Sequence, residues 1–388
     1  MSKFIPLSVP NLKGKELEYI TKAVETEWVS TGGPFVNEFE EKTAAYTGAK
    51  GAVSCQNGTS GLHIALQLCG VTRGDEVVVP TLTFIAAVNP VKYIGAEPVF
   101  MDCDDSLTID TEKMAAFFEH HCDVSNGKLM NRLTNRQIKA ILPVHVFGNM
   151  ADMESIMDLA AQYNLKVIED ATEALGTYYT AGKYKGMHAG TIGDIGVYSF
   201  NGNKIITTGG GGMIVSDNPE YLKRAKHLTT QAKSDELYFV HDEIGYNYRL
   251  TNLQAAMGLA QLEQLEQFIE VKKANYEYYK KAFEQISGLT LLGFKDNIRP
   301  NFWFYALYCG KEYAMNRDEI IQYLASKSVQ SRPIWGLISE QKPYAGSEEY
   351  KIEKANDFLE HIVNIPCSSN LSKEDAAYVV DCLKTAEK

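Results

Sequence analysis

Tyr198-Ser199-Phe200-Asn201-Gly202-Asn203-Lys204-Ile205-Ile206-Thr207-Thr208-Gly209-Gly210-Gly211-Gly212 is the stretch on which the reading of this chain turns. Before it, residues 195–200 (Ile-Gly-Val-Tyr-Ser-Phe) read as a short buried strand, and after it Met213-Ile214-Val215 reads as another. Between them a single lysine sits in a turn too polar for a core and too glycine-rich for a helix. A lysine held at the mouth of a sheet loses hydration, which lowers its pKa and leaves a neutral amine that attacks carbonyls. The four successive glycines permit close backbone approach and positive φ. An ordinary surface loop with a solvated lysine would read the same way, so the rest of the chain decides between the two.

Outward from this turn the sequence alternates. Strands are expected at 52–55, 76–79, 98–101, 138–146 and 166–168, and helices at 59–68, 84–93, 111–119 and 153–163. Apolar runs separated by helices imply parallel strands buried on both faces, with right-handed crossovers. Residues 120–136 stand outside this rhythm as a polar insertion. A helical pattern over 11–27, a loop from Trp28 to Pro34 and a helix over 35–46 come first. After residue 215 the character changes. Residues 252–287 hold one long amphipathic helical stretch, followed by a strand at 302–308, a helix at 317–326, a strand at 329–334 and helices at 356–362 and 374–388. The expectation is an α/β fold. Residues 1–252 form a large domain with an N-terminal arm and a mostly parallel sheet flanked by helices, and residues 253–388 form a smaller α+β domain.

At 388 residues the chain has room for about two cores. Hydrophobic residues make up 45% and charged residues 22%, an ordinary globular composition. No apolar run reaches bilayer length, and the N-terminus lacks an apolar signal core. The seven cysteines are scattered without a CxxC pair, which points to reduced thiols in a cytoplasm and away from a zinc site. A net charge of -11 with no basic block argues against a nucleic-acid partner, though local donors still permit an anionic ligand.

Ligands of open parallel sheets bind at the carboxyl ends of strands. The strand at 52–55 leads through Gln56-Asn57-Gly58-Thr59-Ser60-Gly61 into a helix, either as a plain N-cap or as a phosphate-holding turn. It is no Walker loop, because no Gly-Lys-Ser/Thr follows. The strand at 166–168 ends in Glu169-Asp170. Asp170 is the candidate to keep a pyridine nitrogen protonated, since strand alternation turns Glu169 the other way. Ser199 offers a hydroxyl to the same phosphate. Phe84 either stacks on a flat ring or packs in the core. His145 reads as a satisfied core histidine, and His120 and His121 as solvated. Tyr246-Asn247-Tyr248-Arg249 is a structural turn or a set of phosphate donors, and Arg332 binds an anion or pairs on the surface.

These motifs, in this order, resemble the sugar aminotransferases of the DegT/DnrJ/EryC1/StrS group, which are fold-type-I pyridoxal-phosphate enzymes. The resemblance extends from Gly32-Gly33-Pro34 to Ile365-Pro366. It is closest to the branch acting on UDP-linked 4-keto-6-deoxy-N-acetylhexosamines. By that resemblance Lys204 would carry pyridoxal 5'-phosphate covalently and shuttle the proton, with pyridoxamine phosphate as the intermediate form. Asp170 would pair with the pyridine nitrogen, and Phe84 would stack on the ring. Gly58, Thr59 and Ser199 would hold the phosphate, with Glu173 nearby. Asn247 would reach the phosphate from the second subunit of a homodimer. Thr31, Asn203, Arg249 and Arg332 would face the substrate, with glutamate as amino donor. Alternative readings are a 3-aminotransferase acting on a dTDP-3-keto sugar and a non-catalytic nucleotide-sugar-binding regulator. Two departures stand out: the family more often has glutamine where Glu173 stands, and an acid where Gly210 stands.

Overall fold

The computed structural model describes residues 3–235 and 237–386. The apolar runs form β1 (Gly51–Cys55), β2 (Glu76–Pro80), β3 (Glu97–Met101), the hairpin strands β4 (Cys122–Ser125) and β5 (Lys128–Asn131), β6 (Gln137–Ile141), β7 (Lys166–Asp170), the short β8 (Tyr178–Tyr179), β9 (Ile195–Ser199) and β10 (Gly212–Ser216). The main sheet runs β1-β10-β9-β7-β6-β2-β3 and is extended at β3 by Glu348–Tyr350. β9, β7, β6, β2 and β3 are mutually parallel, and β10 is antiparallel to both of its neighbours. The five residues of β2 are all buried, as expected of a strand covered on both faces.

Register positions the site. Cys55 lies opposite Gly212, Gly212 opposite Ser199, and Val197 opposite Asp170. The loops that leave β1, β9 and β7 therefore open side by side at one edge of the sheet. The first of them enters the helix α1 (Gly58–Leu68), whose N-cap Asn57 accepts the Ser60 N–H through its side chain.

Several elements differ from the sequence expectation for identifiable reasons. The long strand expected at 138–146 stops at Ile141, just before Pro143, which cannot donate to a ladder. The helix expected over 84–93 divides into a 3₁₀ turn, Ile85–Ala87, and a short helix, Asn89–Tyr93, with Pro90 in its first turn. The single helical stretch after 252 is two helices, Asn252–Leu262 and Leu265–Phe283. Their junction falls where Gln261 and Gln264 both donate to the buried Glu16 carboxylate. The 120–136 segment is no detached polar insertion. Its strand β5 pairs with β6, and Leu129 and Asn131 are buried. The Asn131 amide donates to both Glu76 and Glu348.

Beyond residue 252 an antiparallel sheet joins Leu289–Leu291, Tyr305–Cys309, Ile362–Ile365 and Arg332–Pro333. All seven cysteines are free and buried. Among the described residues no helix is long and apolar enough to cross a membrane.

Burial lifts the Glu76 carboxyl above its ordinary range, and Asn131 is one of the groups that offset that burial. Asn131→Ala should therefore lower stability by about 1–3 kcal/mol in urea unfolding, the cost of a buried acid that loses its donor.

Candidate active site

Where the three loops meet, a cavity of about 250 Å³ opens. Gly58, Thr59, Phe84, Asp170, Glu173, Ser199 and Lys204 all line it. One wall is the start of α1. The first N–H groups of a helix have no intrahelical partner. Asn57 takes those of Ser60, through its side chain, and Gly61, through its carbonyl. Gly58 and Thr59, in the first turn, line the cavity, and their N–H groups have no intrahelical partner at the positive end of the helix dipole. Gly58 has no room for a side chain: a Cβ would lie 2.8 Å from Thr172 Cγ2 and 3.1 Å from Ser199 Cβ. The glycine-rich return strand approaches equally closely, since a Cβ on Gly212 would lie 2.7 Å from the Asn57 carbonyl carbon.

The floor is acidic. Asp170, at the end of β7, is buried and accepts the Thr172 N–H at 3.0 Å. Burial lifts its carboxyl above the ordinary range, against the pull of Thr172, Lys204 and His145. Glu173 is also buried and accepts the Phe147 N–H at 2.8 Å. Burial pushes its carboxyl up to about 7, with the Lys204 charge pulling the other way. Lys204 Nζ lies 3.7 Å from Glu173 Oε1, and its side chain is 12% exposed. Burial lowers the lysine's pKa, while Glu173 and Asp170 oppose that shift. The desolvated amine expected at the sheet edge is thus present, next to two acids.

Strand alternation at 169–170 holds. Glu169 turns away to accept the N–H groups of Gly190 and Ile192 at 2.8 and 2.6 Å, and to meet His145 Nε2 at 2.9 Å. His145 Nδ1 accepts the Ala151 N–H at 3.1 Å, so Nε2 carries the proton toward Glu169. His145 is a satisfied core histidine.

The remaining residues expected at the site lie elsewhere. Thr31, Asn247 and Arg249 line a second depression of about 320 Å³, with Lys226 and Lys233. Arg249 is tied to the core on one side. It is buried, and its Nη1 donates to the Glu40 carboxylate and to the Ser54 carbonyl. These contacts make it one half of a core ion pair behind β1. Asn203 is exposed, and its carbonyl accepts the Trp303 indole N–H at 2.7 Å. Arg332 is exposed on an edge strand of the second sheet, beside Asn364.

The structure also brings in residues that the sequence did not single out. The ring centroid of Trp303 lies 4.1 Å from Lys204 Nζ, a cation–π contact. In sequence it sits in Phe302-Trp303-Phe304-Tyr305, where nothing local marks which ring meets Lys204. Phe147 holds φ +57°, unusual for a bulky residue, and so directs its N–H at Glu173. Thr83, also on the cavity wall, buries a hydroxyl with no partner among the described residues. Orphan donors at a helix start, a crevice that excludes a Cβ, an unpartnered hydroxyl, a buried acid and a buried amine together suit a ring bearing a phosphate, a protonated nitrogen and a carbonyl. The residues present fit pyridoxal phosphate.

This sheet order, with the site at its carboxyl edge, is the fold of the type-I pyridoxal-phosphate transferases. Residues 10–384 match the DegT/DnrJ/EryC1/StrS aminotransferase family, and the chain belongs to that family of pyridoxal-phosphate-dependent sugar aminotransferases. A GDP-perosamine synthase of Escherichia coli O157:H7 is 38% identical over 383 residues, 98% of each chain. A UDP-4-amino-4,6-dideoxy-N-acetyl-beta-L-altrosamine transaminase of Campylobacter jejuni is 31% identical over 385 residues, 98% of this chain and 96% of its own. The crystal structure of the aminotransferase TlmJ from Streptoalloteichus hindustanus superposes with a TM-score of 0.88 at 25% identity, over 99% of both chains.

The Arg249 assignment has a direct consequence. Arg249→Ala leaves Glu40 buried and unpaired, and should cost about 3–5 kcal/mol in chemical denaturation. Arg249→Lys, which keeps the charge, should cost less.

Proposed function

We propose that the chain transfers an amino group from glutamate to the keto carbon of a nucleotide-linked 4-keto-6-deoxy sugar. The observation that carries this reading is the convergence of Lys204, Asp170, Glu173 and the open start of α1 on one cavity. Bound there, pyridoxal phosphate supplies an aldehyde carbon and a ring that takes up an electron pair. The N–H groups of Gly58 and Thr59 and the Ser199 hydroxyl bind its phosphate. Asp170, held by Thr172, keeps the ring nitrogen protonated. Phe84, half-exposed at the cavity rim, covers the ring face. Lys204 is the residue of covalent attachment. With the cofactor bound, its amine would be the group placed to move a proton, and burial, which lowers its pKa, favours the neutral form that accepts one. Amino donor and sugar use the same cavity in turn, so ping-pong kinetics are expected.

Asn247 and Thr31 lie outside this cavity, in the second depression. We read them as residues that one copy of the chain presents to the cavity of another, with a homodimer as the working unit. Residues 1–252 are read as the cofactor-holding part and 253–388 as the smaller domain that covers it, the whole acting in the cytoplasm.

The C4 position is supported by the 4-amino-4,6-dideoxy sugar named for the Campylobacter relative. The nucleotide has two candidates. A UDP-linked 2-acetamido-2,6-dideoxy-4-hexulose agrees with that relative, whereas a GDP-linked sugar is favoured by the higher identity to the GDP-perosamine synthase.

Borohydride reduction of the loaded protein should leave its label on Lys204. Lys204→Ala should lose turnover by at least about a thousandfold, because attachment and proton transfer both fail. A label on another residue, or full turnover by Lys204→Ala, would defeat the assignment. Incubation with glutamate and a panel of UDP-, GDP- and dTDP-linked keto sugars, with NMR of the aminated carbon, decides the nucleotide and the position. Amination at C3 would replace the C4 reading.

A further inference from the structure

Glu173 is a buried acid beside Lys204, and its surroundings give it a role. Glu173 divides its carboxylate. Oε2 is anchored by the Phe147 N–H at 2.8 Å, while Oε1 faces Lys204 Nζ at 3.7 Å. The anchor is firm on both sides. Phe147 is buried in a left-handed conformation that points its N–H at the acid, and the Glu173 carbonyl is held by the Asn301 amide at 2.9 Å. The same Asn301 accepts the Trp303 backbone N–H at 2.9 Å, and the indole of Trp303 also meets the lysine's charge. Acid and indole are thus tied to one buried asparagine, and both reach the ammonium.

We propose that Glu173 is the positioning residue of Lys204: with Trp303 it holds the lysine's amine in place and serves as the group with which that amine exchanges its proton. The exchange is a plain transfer. An N–H bond of the ammonium breaks, an O–H bond forms on Oε1, and no redox partner is needed. At 3.7 Å the two atoms are beyond direct hydrogen-bond reach, so transfer follows a rotation of the lysine or passes through one water. The proposal rests on the reading of Lys204 as the residue that bears the cofactor.

Electrostatics agree with the geometry. The charged groups that act on this pair are Glu173, Asp170 and Lys204 themselves. Asp170 feels Lys204 and His145, and His145 is paired away on Glu169. Burial brings acid and amine toward each other, the carboxyl upward to about 7 and the amine downward, so the two titrate as a couple. A glutamine at 173 would keep the acceptor for Phe147 but could not take the proton, and it would remove the charge that favours the ammonium.

The test reads the lysine itself. The full-length protein, freed of cofactor, is treated with acetic anhydride across a pH series, and acetylation of the peptide bearing Lys204 is followed by mass spectrometry. Glu173→Gln should move the midpoint of Lys204 reactivity about one pH unit lower, a roughly tenfold faster acetylation on the rising limb. Glu173→Asp, an acid shorter by one methylene, should fall between the two, and it decides the matter if Glu173→Gln does not fold. In the loaded enzyme the limb of the kcat profile near pH 7 should vanish in Glu173→Gln and return in Glu173→Asp. Acetylation profiles that superimpose on the wild type within twofold, or a retained limb in Glu173→Gln, would overturn the proposal. A borohydride label away from residue 204 would instead overturn the reading beneath it, and the acetylation series would still report on the pair.

Discussion

Three ionisable groups, one ammonium and two carboxylates, share a cavity of about 250 Å³ and are largely buried in its wall. None of them would be charged there alone, because desolvation of an isolated ion costs more than a fold can spare. The lysine offsets the cost of both acids and they offset its own, while the two acids oppose each other. Much of the nearby architecture supplies fixed partners to this group: the Thr172 N–H donates to Asp170, the Phe147 N–H donates to Glu173, and the indole face meets the Lys204 cation. The parallel sheet delivers the strand ends in register, and the rest of the chain closes over them.

That closure comes from far along the sequence. Asn301 is fully buried and donates to the carbonyls of Glu173 and Leu175, while its own N–H meets the Thr177 hydroxyl. It clamps the loop after β7 to the segment that carries Trp303. The C-terminal part of the chain therefore does more than cover the cavity, since it supplies one wall of the lysine's environment. A second distant pairing does comparable work behind β1, where Arg249 neutralises Glu40 beneath the turn that leads into α1.

Much of this was legible in the residues. The alternation of apolar runs and helical patterns specified a mostly parallel sheet, and strand-end position singled out Asp170, Ser199 and the 57–59 turn together with Lys204. These features are local, and a period or a spacing records them. What the sequence did not disclose is non-local. No pattern says that Phe147 adopts a left-handed φ, that Trp303 and not its neighbours Phe302 or Phe304 meets the lysine, or that Arg249 finds Glu40 across more than two hundred residues. Proline effects were the exception. Pro143 and Pro90 were visible in the sequence, yet the strand and the helix were extended through them, and the missing N–H prevailed in both places.

The cysteines carry a consequence of a different kind. Burial raises the pKa of all seven thiols, those of Cys55, Cys69, Cys122 and Cys309 to about 12, so at neutral pH the folded chain offers almost no thiolate to oxidants or electrophiles. Sulfur chemistry is thus deferred to the moment of opening. A thiol-seeking reagent meets an inert surface until a segment of the protein comes apart. The rate at which each cysteine is consumed then measures how often its own neighbourhood opens, giving seven intrinsic clocks spread from the first strand to the last helix.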